Sequence, residues 1–327
     1  MDRIKVSIII PIFNVEPYVE RCLLSVYNQL YSNIEVILID DCGTDNSISL
    51  AEQFIYDRNW NQARIIRHGQ NQGLSASRNT GILNASGDYV YFLDSDDEIS
   101  CDCIETLIKL AVKYQVDLVQ GNYRAEPVGW CTINNMVGTY IPEYINNRQK
   151  LISIILERGT IPMMACFRLI KRQFILNHKL FFKEGIINED EHWNFFLAKH
   201  LEAIAISKLP TYIYYKNNGS IVNGEKVNQL SYQSWKTIYN DWAENIGGIG
   251  KKAELRMLFS MVFNTYEETH CKDFDLLKSL NAIKGYKGSY FFLKLMHSLF
   301  TKEKISKNMY LKFVKLVFKI HKTILGV

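Results

Sequence analysis

The sequence predicts an α/β fold: a mainly parallel sheet with helices on both faces, followed by a helical extension. Three observations lead there. The first half of the chain alternates short β-branched runs with helical patterns. The apolar runs repeatedly end in polar, carboxylate-rich clusters. Residues 229–327 carry helical periodicity almost throughout.

Taken in order, Val6 to Ile12 reads as a buried strand, and Val19 to Leu30 as a helix with Pro17 suited to its first turn. Ile34 to Ile39 is a second strand, closed by Asp40 and Asp41. Asn46 to Tyr56 is helical, Arg64 to Arg67 a third strand, and Ser75 to Asn84 a helix. Tyr89 to Leu93 is a fourth strand, again running into aspartates. Cys103 to Tyr114 is helical, and Asp117 to Gln120 returns to strand. From 123 to 220 the pattern weakens into aromatics, loops and short helices, ending in the run Tyr212 to Tyr215. The expected organisation is 1–122, 123–228 and a basic helical extension, 229–327.

The chain has 327 residues, 47% of them hydrophobic, with 19 Tyr and 17 Phe, a composition that excludes long disorder. Its 7 cysteines are odd in number and show no CxxC spacing, so reduced thiols in a cytosol are expected rather than disulfides or a zinc site. The apolar run at the start is too short for a signal sequence, and no stretch approaches the ~18 apolar residues of a spanning helix. Cytoplasmic residence follows as the expectation.

Charge is uneven. Residues 283–327 hold 10 lysines against Glu303 alone, a net +9, which leaves −5 on residues 1–282 of a chain carrying +4. An anionic partner is expected for the tail. Lys312, Lys315, Lys319 and Lys322 are spaced by three, four and three residues, while Phe313, Val314, Leu316, Val317, Ile320 and Ile324 cover much of the remainder. That is a basic amphipathic helix, which binds an anionic membrane surface or packs on the body with its lysines solvated. No nucleic-acid partner is expected.

Ligands of such sheets bind outside the carboxyl ends of the strands. Asp94-Ser95-Asp96-Asp97 stands there. Three carboxylates in four residues repel one another unless a cation or basic side chains compensate. One would suffice to cap the helix at Cys103; three exceed that role. Oxygen-rich sites of this kind suit Mn²⁺ or Mg²⁺, completed by water and substrate phosphates. Asp40 and Asp41 close the second strand before the turn at Gly43, where acceptors could bond a uracil imide or ribose hydroxyls. Arg78 either makes a surface salt bridge or sets its guanidinium fork against the sheet-end aspartates. Glu189-Asp190-Glu191 reads, by itself, as a solvated acidic face. No GxGxxG follows a strand and no GxxxxGK[ST] occurs, so dinucleotide and P-loop chemistry lack their phosphate cradles. No Ser-His-Asp or Cys-His arrangement presents itself.

Taken together, Pro11-Ile-Phe-Asn14, Gln29, Asp40-Asp41-Cys-Gly-Thr-Asp45, Asn71-x-Gly73-x-x-x-x-Arg78-Asn79-x-Gly81, Gly87-Asp-Tyr89 and Leu93-Asp-Ser-Asp-Asp97 carry a resemblance. Phe181-x-x-Glu-Gly185, Glu189-Asp190 and Tyr214-Tyr215 extend it over residues 4–220. The chain resembles the inverting family 2 glycosyltransferases, particularly bacterial enzymes that build surface polysaccharides. The resemblance implies the GT-A fold, a Rossmann-like sheet, and a nucleotide-sugar donor, expected to be UDP-linked. It implies that Phe13, Glu16 and Asp40 receive the nucleobase, that Asp94 faces the ribose and that Asp96 binds the metal. Pro11, Asn14, Asp41, Arg78 and Ser95 complete the donor-side set. The general base falls on Asp190, with Glu189 second, and the acceptor is a glycan or lipid-linked saccharide. The stretch Cys166-Phe-Arg-Leu169 departs from the family's Trp-Asn-Lys-Leu, keeping its basic and Leu positions. A catalytically silent sugar-nucleotide or polysaccharide-binding module of the same fold is the alternative. A nucleotidyltransferase would need a Gly-rich basic loop after strand one, which Pro11 to Asn14 is not.

Overall fold

The computed structural model describes residues 4–127, 141–156, 161, 163–216, 225–251, 253–255, 257–258, 261–262, 312–317, 319–320 and 323. Two compact units divide the chain, Met1–Asn228 and Gln229–Val327.

In the first unit, β1 (Val6–Ile12), α1 (Val19–Tyr27), β2 (Ile34–Asp40), α2 (Ser47–Asp57), β3 (Ala63–Arg67), α3 (Leu74–Asn84) and β4 (Tyr89–Phe92) alternate as the sequence predicts. Then come β5 (Glu98–Ile99), α4 (Cys103–Tyr114), β6 (Leu118–Glu126), β7 (Tyr144–Ile145), α5 (Arg148–Leu156), β8 (Arg168–Lys171), α6 (Arg172–His178), α7 (Glu189–His200) and β9 (Ile204–Tyr215). Among the described residues nine strands form one sheet, ordered β3-β2-β1-β4-β8-β6-β9-β5, with β7 beside β9.

The long pairings are parallel: β1 with β2 and β4, β2 with β3, and β6 with β9. Parallel strands are covered on both faces, which is why β1 reads as an unbroken apolar run and is buried along its whole length. α1 turns Val19, Cys22, Leu23 and Val26 inward, the three-and-four spacing of one helix face. α3 packs closely because Gly81 has no Cβ; one placed there would overlap Ile9 of β1.

Two expected boundaries move for tertiary reasons. α1 stops at Tyr27 instead of Leu30 because Leu30 N donates to Cys101 O and the Gln29 amide donates to Ser100 O, at 2.8 and 2.7 Å. β6 extends past Gln120 to Glu126 because β9 pairs with it as far as Tyr215. After β9, α8 runs Glu225–Asn245 and buries Ile238, Tyr239 and Trp242. Among the described residues no helix is long and apolar enough to cross a membrane, and Cys22, Cys42, Cys101, Cys103 and Cys166 are free thiols.

Candidate active site

The carboxyl ends of β1 and β2 form the first wall. Even-numbered residues of β1 bond toward β2, as Asp41 N to Ile12 O shows, and odd ones toward β4, as Leu93 N to Ile9 O shows. β4 has ended at Phe92, so Pro11 has no strand on its β4 side and its missing N–H costs no ladder bond. Pro11 itself is buried, which makes it a shaper of the strand end and not, as expected from sequence, a contact surface. Asn14 adopts the left-handed region at φ 52°, and its Oδ1 accepts from Thr44 N at 2.7 Å. Glu16 accepts from Asn46 N and Nδ2 at 3.1 and 3.0 Å, while Asp45 accepts from Glu16 N at 2.8 Å. The two loops are thereby clamped side by side, with Phe13 43% exposed between them. Asp40 Oδ1 accepts from Cys42 N at 3.0 Å, and Oδ2 stands 3.5 Å from Arg67 Nε.

Asp41 corrects the reading from sequence. It is buried, and its carboxylate accepts from Gln72 N and Gly73 N, both at 2.8 Å, and from Asn71 Nδ2 at 3.0 Å. His68 Nδ1 lies 2.7 Å from the same group. The carboxylate is occupied by these donors of the protein and shapes the 68–73 loop.

Around β4's end the chain brings together what the sequence separates. Arg78, on α3 and only 1% exposed, donates from Nη2 to Asp94 Oδ1 at 3.0 Å. Its Nη1 donates to Glu189 Oε1 at 2.8 Å and to Asp190 Oδ1 at 3.2 Å. Arg78 is therefore a buried junction and not a surface bridge. Burial disfavours its charge, but Asp190, Asp94 and Glu189 overcome that and raise its pKa above the ordinary value. The acidic triplet that reads as a solvated face is the first turn of α7, where carboxylates are favoured by the helix dipole. Burial pushes Asp190 up to about 7; Arg78 opposes this, Glu189 and Asp94 add to it, and Arg168 opposes it again.

Asp97 ends the acidic run facing inward. It accepts from Tyr212 OH at 2.7 Å and from Tyr215 N at 2.8 Å, tying the β4 loop to β9. Burial, then the charges of Asp96 and Asp94, push its carboxyl up to about 8. Asp96 is half-buried beside it, its carbonyl accepting from Arg21 Nη2 at 2.6 Å, and Ser95 is buried. Among the described residues no group of three or more His, Cys, Asp or Glu is arranged to hold a metal ion by itself.

Three supporting residues had no role assigned from the sequence. Asn79 clamps the 182–184 loop, accepting from Phe182 N at 2.8 Å and donating to Glu184 Oε1 at 3.1 Å. Arg21 lies over the Tyr215 ring at 3.6 Å and pairs with Glu98 at 2.9 Å. Arg168, buried in β8, donates from Nε to Gln120 Oε1 at 2.8 Å and from Nη1 to Asn194 Oδ1. The available signal for Arg168 was a lone cation inside the apolar run from Ala165 to Ile170.

Residues 7–176 match the profile of "Glycosyl transferase family 2". The putative glycosyltransferase EpsH of Bacillus subtilis is 31% identical over 261 residues, covering 78% of this chain and 73% of its own. Glycosyltransferase GlyA of Streptococcus pneumoniae is 33% identical over 224 residues, which are 66% of this chain but only 31% of GlyA. Among solved structures, S. aureus TarS 1-349 in complex with UDP-GlcNAc shares the fold at a TM-score of 0.67 and 17% identity, covering 98% of this chain and 92% of that one. A central, mostly parallel sheet flanked by helices is common to both, the GT-A fold. With the profile and EpsH agreeing over most of the chain, this protein belongs to the family 2 glycosyltransferases.

Proposed function

We propose that this glycosyltransferase moves a sugar from a UDP-linked donor to a glycan or lipid-linked saccharide in surface polysaccharide synthesis, with inversion at the anomeric carbon. The single observation that carries the reading is that one guanidinium, Arg78, holds both Asp94 of the donor side and Asp190 of α7. Donor and base carboxylates are thereby fixed relative to each other before substrate arrives.

Asp190 is the base. Its Oδ1 takes Arg78, and among the described residues Oδ2 has no hydrogen-bond donor, so it accepts the acceptor hydroxyl's proton. A carboxylate near 7 is matched to proton transfer at neutral pH. The hydroxyl oxygen attacks the anomeric carbon, the bond to the diphosphate breaks, and the UDP carries off the electron pair. Glu189, bound by Arg78 at 2.8 Å, is the second candidate. Phe13, Glu16 and Asp40 flank the nucleobase, Glu16 and Asn14 mainly by holding the loops together.

The residues present fit a divalent cation, Mn²⁺ or Mg²⁺. Asp94, Asp96 and Asp97 gather carboxylates whose mutual repulsion, after burial, raises Asp97, and a cation beside them would relieve it. Asp96 would hold the ion, with donor phosphates and water completing its shell. When bound it supplies charge neutralisation for the departing diphosphate.

The extension is proposed to meet the inner, anionic face of the cell membrane. Most of residues 283–327 lie outside the described residues. Within the described part, Lys312, Lys315, Leu316, Lys319 and Ile320 are exposed while Val314 and Val317 are buried. Thermal-shift screening of UDP-, GDP- and dTDP-sugars with Mn²⁺ tests the donor assignment; stabilisation by a GDP- or dTDP-sugar and not by a UDP-sugar would overturn it.

A further inference from the structure

We propose that Arg168 is a positioning residue for Asp190, fixing the first turn of α7 through Asn194 and keeping a positive charge behind the carboxylate. The inference rests on the reading of Asp190 as the base.

The antiparallel register of β6 and β8 sets Gln120 opposite Arg168. Arg168 Nε donates to Gln120 Oε1 at 2.8 Å, and Nη1 donates to Asn194 Oδ1. Asn194, fully buried one turn into α7, then donates from Nδ2 to the carbonyl of Asp190 at 2.7 Å and to Met163 O. The guanidinium also lies 5.9 Å over the ring of Trp193. The Gln120–Arg168 and Arg168–Asn194 links are buried and the Asn194–Asp190 link is partly buried, so the chain from β8 to Asp190 is largely shielded from water.

Packing alone does not require a cation here. Leu169 and Ile170, its neighbours on β8, are fully buried and apolar, and an apolar side chain at 168 would avoid the cost of burying charge. Burial in fact pulls Arg168 down to about 10, with Asp190 and then Cys166 opposing. The charged groups facing Asp190 are Arg78 from α3, Glu189 from its own helix, Asp94 from β4's end and Arg168 from β8. Arg78 is shared among three carboxylates, whereas the first charge acting on Arg168 is that of Asp190. The two cations therefore differ in role: Arg78 joins the two sides of the site, and Arg168 sets Asp190.

The test is a pH titration of the Asp190 side-chain carbon by NMR in the full chain labelled with ¹³C-aspartate, assigned by its loss in Asp190→Asn. Hydrolysis of UDP-GlcNAc with Mn²⁺ is followed in parallel. In Arg168→Gln, which can still hydrogen-bond but is neutral, the midpoint is expected to rise by about one unit. Hydrolysis at pH 7 then falls about fivefold and recovers by about pH 9, a profile that loosened packing would not give. Arg168→Lys restores the midpoint. A folded Arg168→Gln with an unmoved midpoint overturns the inference. If Arg168→Gln does not fold, Arg168→Lys decides: its charge must keep the midpoint within about half a unit of wild type, and a larger displacement overturns it. A moved midpoint with full hydrolysis by Asp190→Asn removes Asp190 as base and leaves the positioning intact. An unmoved midpoint with hydrolysis lost in Asp190→Asn removes Arg168's role alone.

Discussion

Arg78 Nη1 donates to Glu189 Oε1 across 2.8 Å, joining residues 111 positions apart in the sequence. That contact, with the Asp94 and Asp190 bonds of the same guanidinium, binds α3 and the end of β4 to the first turn of α7.

Arg78→Met removes the cation from a buried cluster of three carboxylates. Leaving buried charge uncompensated costs about 3–5 kcal/mol. Thermal or urea unfolding at pH 7 measures it, and the loss should shrink at acid pH as the carboxyls protonate. Unfolding unchanged from wild type would mean the cluster is solvated.

Asp190 gives activity and stability opposite pH signs. Its carboxyl is raised to about 7 in the folded chain, so the proton is bound more tightly folded than unfolded. Its contribution to stability is full below the unfolded value of about 4 and is lost as pH rises through about 7. Donor turnover rises over the upper part of that window as the base ionises. Asp190→Asn should flatten the stability slope; an identical slope in the variant would remove Asp190 as its source.

Glu35 has the reverse sign. Ser7 OH, Ser86 N and Gly87 N donate to it at 2.6, 2.6 and 3.1 Å, and Arg64 pairs with it at 2.8 Å. Burial opposes its charge, but these donors win and bring the carboxyl down to about 2. The stability it contributes is present above about pH 4 and lost as pH falls toward about 2. Glu35→Gln keeps one oxygen for the Ser86 and Gly87 N–H groups but sets its NH2 against the Arg64 guanidinium, and should cost about 2 kcal/mol at pH 7. Chemical denaturation at pH 7 and pH 3 checks both the loss and its shrinkage in acid.

Deleting residues 301–327 should release the protein from anionic liposomes at physiological salt while UDP binding is unchanged. Each lysine near such a surface contributes about 1 kcal/mol. Equal liposome binding by full-length and truncated chains would sink the membrane role.

Periodicity made β1 to β4 and α4 legible because each element there buries a regular face of its own. β5, β7 and β8 were not, being two to four residues long and defined by antiparallel partners far along the chain. The same limit applies to the site. Asp41 and Asp94 look alike as strand-end carboxylates, yet Asp41 is consumed by Gln72 and Gly73 while Asp94 stays 29% exposed. The burial of Glu189 and Asp190 depends on Arg78, which local composition does not reveal. Arg168 was visible only as a kept basic position, because its partners Gln120 and Asn194 are 48 and 26 residues away.

The metal assignment predicts that Asp96→Ala abolishes the Mn²⁺ dependence of UDP binding and that Asp94→Ala weakens it. Isothermal titration with and without Mn²⁺ reads this directly. UDP binding by Asp96→Ala with unchanged Mn²⁺ dependence would reassign the ion.

Asp190→Asn tests the central claim most directly, since the amide keeps the shape and cannot accept a proton. UDP affinity and UDP release from the UDP-sugar that stabilises the wild-type chain are measured on the same preparation. Release should fall by roughly 10²–10⁴-fold while affinity for UDP holds. A fall of less than about threefold, well short of a general-base contribution, would contradict the assignment and turn attention to Glu189.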